Sequence, residues 1–209
     1  MGRRSDHSPE AIRVMALAAT RRLLTERGVT GLTAREIARD IGYSPGTLYN
    51  HFNDLDDLIL QANAETLDLL LARVHEARAG HRDAEPALRA MARAYIAETR
   101  AAPRLWGALF EHRIAKGKPL PDWYAARIAG LFAPVEEVLA PLFGSKHGKA
   151  CRRTARILWS ALHGITSLAL SQKLDLIAGV SAEDMADDLI STYLSGVRAR
   201  TGIGQNSYL

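Results

Sequence analysis

Six residues between Ser44 and His51 carry the chemistry that stands out in this chain: Ser44, Gly46, Thr47, Tyr49, Asn50 and His51. On a short helix with Leu48 and Phe52 turned inward, these six face outward, and none is acidic or a large aliphatic. Such a surface suits nucleic acid. Ser44 and Thr47 can hydrogen-bond base edges or phosphates, the Thr47 methyl can meet a thymine methyl, and Asn50 can read adenine. Tyr49 and His51 can reach phosphates. Pro45 and Gly46 keep the helix start slim, so that its N–H groups and positive dipole end can approach a phosphate backbone.

The elements that must hold these residues are short and sharply punctuated. Ser8-Pro9 opens a first helix with an N-cap and a proline at the first helical position, and Gly28 ends it. Ile12, Met15, Ala16, Ala19 and Leu23 form its buried stripe. Thr33 opens a second helix, with Glu36 three residues on completing a capping box. Ala34, Ile37, Ala38 and Ile41 face inward there, and Gly42 stops the helix, since the left-handed position after a helix is least costly for glycine. Ser44-Pro45 starts a third helix, about Pro45 to His51, and Asn53 or Asp54 caps a fourth that fades near Gly80. The fourth carries an acidic face of Asp56, Asp57, Glu65 and Asp68, expected to face solvent. Two short helices joined by a tight turn between Thr33 and Phe52 read as a helix-turn-helix, whose first helix, starting at Thr33 and Arg35, also meets the backbone. A glycine turn between helices is also a common packing unit, so periodicity and surface chemistry alone leave a packing cluster and a DNA reader both open.

The remaining chain reads as helical: about Asp83 to Arg100, Pro103 to Lys116, a start near Asp122 interrupted by Pro134 and Pro141, Lys149 to Gln172, and Ser181 to Arg200. Gly117 to Pro121 is loop. Apolar residues are 47% of the 209, the surrounding residues are helix formers, and the expected fold class is all-α. A helix-turn-helix domain at 8–53 and a larger ligand-binding and dimerisation domain at 54–200 are expected. The net charge of +4 is weak support for a polyanionic partner. A single cysteine, no apolar leader after Met1 and no uncharged run of about 20 apolar residues point to a cytoplasmic protein with no membrane partner.

The run Thr33-Ala34-Arg35-Glu36-Ile37-Ala38-Arg39-Asp40-Ile41-Gly42-Tyr43-Ser44-Pro45-Gly46-Thr47-Leu48-Tyr49-Asn50-His51-Phe52 resembles the N-terminal domain of the TetR family of repressors. The likeness extends upstream through Ala18, Leu23 and Gly28 to Leu32, and downstream to Leu58. It implies that Thr33, Arg35, Ser44, Pro45, Gly46, Thr47, Tyr49, Asn50 and His51 meet operator DNA. In the family a lysine often stands at one or both of the positions occupied here by Asn53 and Leu55. Each phosphate left without its cation lowers the salt slope by about 0.9. Arg3 and Arg4 of the N-terminal arm offer compensation by entering a neighbouring minor groove.

Trp159 to Gln172 has no charged residue and is apolar on two sides, so it must be buried on both. Leu162, Ile165, Leu168 and Ala169, with Leu189, Ile190, Tyr193, Leu194 and Val197 of the last helix, are expected to form a four-helix homodimer interface, the alternative being internal core. TetR-like proteins pair through their last two long helices, which favours the dimer. Trp159 to Gly164 also looks like the signature of a WHG-type C-terminal domain. Tyr95, Trp106, Phe110, His112, Trp123, Phe132, Trp159 and His163 could line a pocket for an unknown small-molecule effector, although ordinary core is the simpler reading of any one of them.

No cofactor is expected and no metal, because Cys151, His112, His147 and His163 lack ligand spacing. Lys146, His147, Lys149, Arg152 and Arg153 could lower the Cys151 pKa, although a lone cysteine near a helix start is more often inert. The function expected is that of a repressor released from operator DNA by a small apolar or aromatic molecule. An all-α enzyme finds no support, since no P-loop, G-x-S-x-G, HExxH or paired carboxylates occur. A purely architectural DNA- or protein-binding module is the third reading.

Overall fold

The computed structural model describes residues 7–144, 148–177 and 179–202. Its helices are α1 (Pro9–Arg27), α2 (Ala34–Asp40), α3 (Pro45–Tyr49), α4 (Leu55–Arg78), α5 (Ala84–Ala101), α6 (Pro103–Glu111), α7 (Asp122–Gly130), α8 (Ala133–Leu139), α9 (Gly148–Leu170), α10 (Leu174–Ile177) and α11 (Ala182–Thr201). A short 3₁₀ turn follows α8 at Ala140–Leu142, and no strand occurs among the described residues.

The caps explain the starts. Ser8, Thr33, Ser44 and Ser181 each adopt an extended conformation, and each side chain accepts a hydrogen bond from a backbone N–H in the first turn that follows. The Thr33–Glu36 capping box is complete in both directions. Asp54 caps α4 by accepting from the Asp57 N–H at 2.9 Å, while the Asn53 backbone N–H donates to the Asp57 carboxylate. Helix α6 is shorter than its periodicity suggests. It stops at Glu111 because His112 turns extended, with ψ of 120°. The four-residue α10 has no periodic signal to announce it.

The chain divides into two compact units, Met1–Asp68 with Ala102–Ala125, and Leu69–Ala101 with Ala126–Leu209. This differs from a division at residue 53: α4 runs through both units, and α6 packs on α1 in the first. Ala16, Ala19, Leu23, Ile37, Ala38, Leu48, Phe52 and Leu58 build one core of the first unit. A second cluster there joins Leu24 and Ala62 to Leu105 and Ala108, which is why α6 belongs with the N-terminal helices. Burying these side chains contributes roughly 1.5–3 kcal/mol each before conformational entropy is set against it.

The acidic face of α4 is not simply solvated. Asp56 lies 3.4 Å from His112 and also near Lys118, Glu65 pairs with Arg21 at 3.2 Å, and Asp57 accepts from Gln61 at 2.7 Å. Of the four, only Asp68 is exposed.

In the second unit α5 packs on α11 and α9, and α8 packs on α9 and α5. Ala186, Ile190, Leu194 and Val197 of α11 are buried with Leu88, Met91, Ala92, Tyr95 and Ile96 of α5. Ile190, Leu194 and Val197, expected at a subunit interface, are therefore interior residues of a single chain. Helix α9 buries Thr154, Ala155, Leu158 and Thr166 and leaves Ile157 and Leu168 exposed.

Candidate nucleic-acid interface

Helix α3 is five residues long, too short to be stable alone, and it is held from both ends. At its start the Ser44 hydroxyl accepts from the Thr47 N–H at 3.3 Å and lies 3.1 Å from the Thr47 hydroxyl. At its end Arg13 of α1 donates to the His51 carbonyl at 3.2 Å, bonds Gln61 of α4, and lies over the Phe52 ring at 5.0 Å. Inside, Leu48 and Phe52 are 1% and 3% exposed and anchor the helix to α1, α2 and α4.

With Leu48 and Phe52 turned in, Ser44, Gly46, Tyr49 and Asn50 are exposed, and Pro45, Thr47 and His51 are half-buried. Tyr49 is 51% exposed, an unusual position for a large ring unless something covers it. Thr33 and Arg35 are exposed at the start of α2. The nine expected DNA-contacting residues thus belong to two adjacent helix starts and one helix face within a single compact unit.

Two of them have structural work as well. The Thr33 hydroxyl lies 3.1 Å from a Glu36 carboxylate oxygen, and the Ser44 hydroxyl caps α3. Gly46, Tyr49 and Asn50 are the open positions.

The turn between α2 and α3 is built by Gly42 at φ +77° and by the Tyr43 N–H, which donates to the Ala38 carbonyl at 2.8 Å. Tyr43 also shares a 2.8 Å hydrogen bond with His7. Neither this pair nor the Arg13 clamp is legible in the sequence, since residues 36 and 38 apart carry no local signal that they touch. Asn53 is exposed and Leu55 half-buried, so no cation stands at either position. Arg3 and Arg4 lie outside the described residues.

The eight aromatic and histidine residues expected around one pocket divide between the units: Trp106, Phe110, His112 and Trp123 in the first, Tyr95, Phe132, Trp159 and His163 in the second. The second set touches in series. Tyr95 and His163 share a hydrogen bond of 2.8 Å, His163 stacks on Trp159 at 5.3 Å between centroids, and Trp159 meets Phe132 edge-on at 5.8 Å. Arg156 lies 4.7 Å over Phe132. Burial lowers the His163 pKa and raises that of Tyr95, so both groups are neutral near pH 7. In the first set Trp106 is buried, while Phe110 and Trp123 are 48% and 41% exposed.

Among the described residues, no three of His, Cys, Asp and Glu converge as a metal site, and no helix is long and apolar enough to cross a membrane. Cys151 is buried, its thiol donating to the Glu136 carbonyl at 3.4 Å. Burial and the nearby Glu136 raise its pKa, opposing the lowering that Arg152 supplies. Lys146 and His147 lie outside the described residues.

Residues 16–62 match the family model of bacterial regulatory proteins of the tetR family, and residues 88–193 match that of the tetracyclin repressor-like C-terminal domain. The second match contains the Trp159 to Gly164 run. An uncharacterized HTH-type transcriptional regulator of Mycobacterium tuberculosis is 28% identical over 181 residues, covering 87% of this chain and 79% of that protein. A protein of unknown function from Rhodococcus sp. RHA1 shares the fold with a TM-score of 0.74 and 21% identity, over 93% of this chain and 98% of that one. A TetR family transcription regulator from Marinobacter aquaeolei VT8 does so with a TM-score of 0.58 and 18% identity, over 86% and 95%. This is a family of DNA-binding regulators rather than enzymes. The two domain matches and the capped, outward-facing third helix agree: the chain belongs to the tetR family of bacterial transcriptional regulators.

Proposed function

We propose that the protein is a cytoplasmic homodimeric repressor, released from its operator when a small apolar or aromatic molecule binds. The observation that carries its DNA-reading half is the outer face of α3, where Gly46, Tyr49 and Asn50 are exposed beside Ser44 and Thr47, with no acidic side chain from Ser44 to His51. In a two-fold dimer, two such helices enter successive major grooves about 34–36 Å apart.

The exposed Ile157 and Leu168 of α9, with half-buried Leu162, Ile165 and Ala169, favour a second copy as the partner of that face. Leu189 and Tyr193 of α11 are half-buried and extend it. For the effector, the second unit offers Tyr95, Phe132, Trp159 and His163, an aromatic series whose one polar handle is uncharged. A neutral handle among rings suits an uncharged aromatic ligand better than an ion. Helix α4 is continuous through both units, so a ligand that favours one position of α4 shifts the DNA-binding equilibrium by its differential affinity alone.

Fluorescence anisotropy against duplex from the chain's own upstream region tests the reading. Thr47→Ala with Tyr49→Ala should abolish tight binding while circular dichroism stays helical. Equal binding of the variant and the parent to any duplex, with the same salt slope, would instead indicate an architectural protein.

A further inference from the structure

We propose that His7 and Tyr43 form a clasp that fixes where the N-terminal arm leaves the DNA-reading unit, so that Arg3 and Arg4 act on the same operator as α3. This rests on the reading that Ser44 to His51 meet DNA. The His7 Nδ1 lies 2.8 Å from the Tyr43 hydroxyl, and the rings meet edge-on at 6.1 Å with an interplanar angle of 64°. The clasp joins two helix entries: His7 directly precedes Ser8, the N-cap of α1, and Tyr43 directly precedes Ser44, the N-cap of α3. The base of the arm is thereby held beside the start of the reading helix.

Packing does not account for the pair. His7 is exposed, Tyr43 is half-buried, and neither belongs to the core of Ala16, Leu23, Ile37, Leu48 and Phe52. Tyr43 is itself fixed by the 2.8 Å bond from its N–H to Ala38.

Charge supplies the reason for such a clasp. From Asp40 to Ala72 the sequence contains no lysine or arginine, so α3 and the start of α4 offer DNA hydrogen bonds without a permanent cation. Phosphate neutralisation provides much of the affinity of a DNA-binding protein, and it must come from elsewhere. Arg35 is one source. Arg3 and Arg4 stand four and three residues before His7, a span of roughly 10–14 Å when extended, before the arginine side chains are counted. That span is comparable with the roughly 12 Å width of a major groove. Pinning the base of the arm raises the effective concentration of its two guanidinium groups at the flanking phosphates or minor groove.

The test uses the full chain, its upstream duplex and anisotropy over a salt series. His7→Ala, Tyr43→Phe and the arm variant Arg3→Ala/Arg4→Ala are compared singly and combined. Each clasp variant should weaken binding by about three- to tenfold and lower the salt slope by about 0.9 for every phosphate that is no longer neutralised. Adding either clasp variant to the arm variant should cause no further loss, and melting temperatures should stay unchanged. The clasp is overturned if only one of His7→Ala and Tyr43→Phe acts, if neither acts, or if their effects add in full to that of the arm variant. Thr47→Ala separates this from the reading beneath it. Tight binding that survives Thr47→Ala would remove α3 as the reader, whereas weak binding in Thr47→Ala with inert clasp variants removes the clasp alone.

Discussion

The hydroxyl of Tyr95 on α5 lies 2.8 Å from Nδ1 of His163 on α9, and the His163 ring stacks on Trp159 with only 12° between the planes. Burial holds the His163 pKa below its ordinary value, and burial does the same at His112, where Asp56 opposes it. A histidine depressed in the folded state takes up its proton more readily when unfolded. Its stabilising contribution is therefore complete above the ordinary value of about 6.5 and is lost as pH falls through the folded value. Chemical denaturation should give a constant midpoint from pH 8 to 7 and a falling one below about pH 6.5. The double variant His112→Gln/His163→Gln should flatten that fall, and an undiminished slope in the variant would place its origin elsewhere.

Leu194 and Leu168 separate folding from pairing. Leu194 is fully buried within one chain, so Leu194→Ala should cost about 2–5 kcal/mol of unfolding free energy. Leu168 is 36% exposed on α9, and Leu168→Glu should instead produce a folded monomer in multi-angle light scattering, with weakened operator binding. A dimer that survives both Leu168→Glu and Ile157→Glu would move the pairing surface away from this face of α9.

Gly42 carries the turn of the helix-turn-helix at φ +77°, and a Cβ there would meet nothing within 4 Å. The cost of Gly42→Ala is thus backbone conformation alone, about 1–2 kcal/mol, readable as a lower denaturation midpoint. Gly42→Asn should cost less, because asparagine tolerates the left-handed region. Equal losses in the two variants would point to a steric cause.

Cys151 is buried, and its thiol pKa is raised by burial and by Glu136. Native protein should react with a thiol reagent far more slowly than denatured protein, and mild peroxide should leave the thiol intact by mass spectrometry. A sulfenate or an inter-subunit disulfide at Cys151 would contradict this.

The reading unit was legible because its signals are local. Ser8-Pro9, Thr33 with Glu36, Gly42, and Ser44-Pro45 each act within one turn of chain, and the structure uses all of them at the expected places. The all-helical class and the family followed from the same residues. The end of α6 was not legible. His112 breaks that helix early and lies beside Asp56, 56 positions away, a pairing that no periodicity encodes.

By itself, then, the sequence determined helix starts, the turn and the outward chemistry of α3, because capping, proline geometry and glycine freedom depend on neighbours along the chain. Only the tertiary structure decided which side of α9 and α11 is interior. Both helices are apolar on more than one side, so Leu194 and Leu168 look alike until α5 buries one and leaves the other exposed. The same holds for His7 and Tyr43. Nothing in either residue names the other, and folding alone brings the entrances of α1 and α3 together.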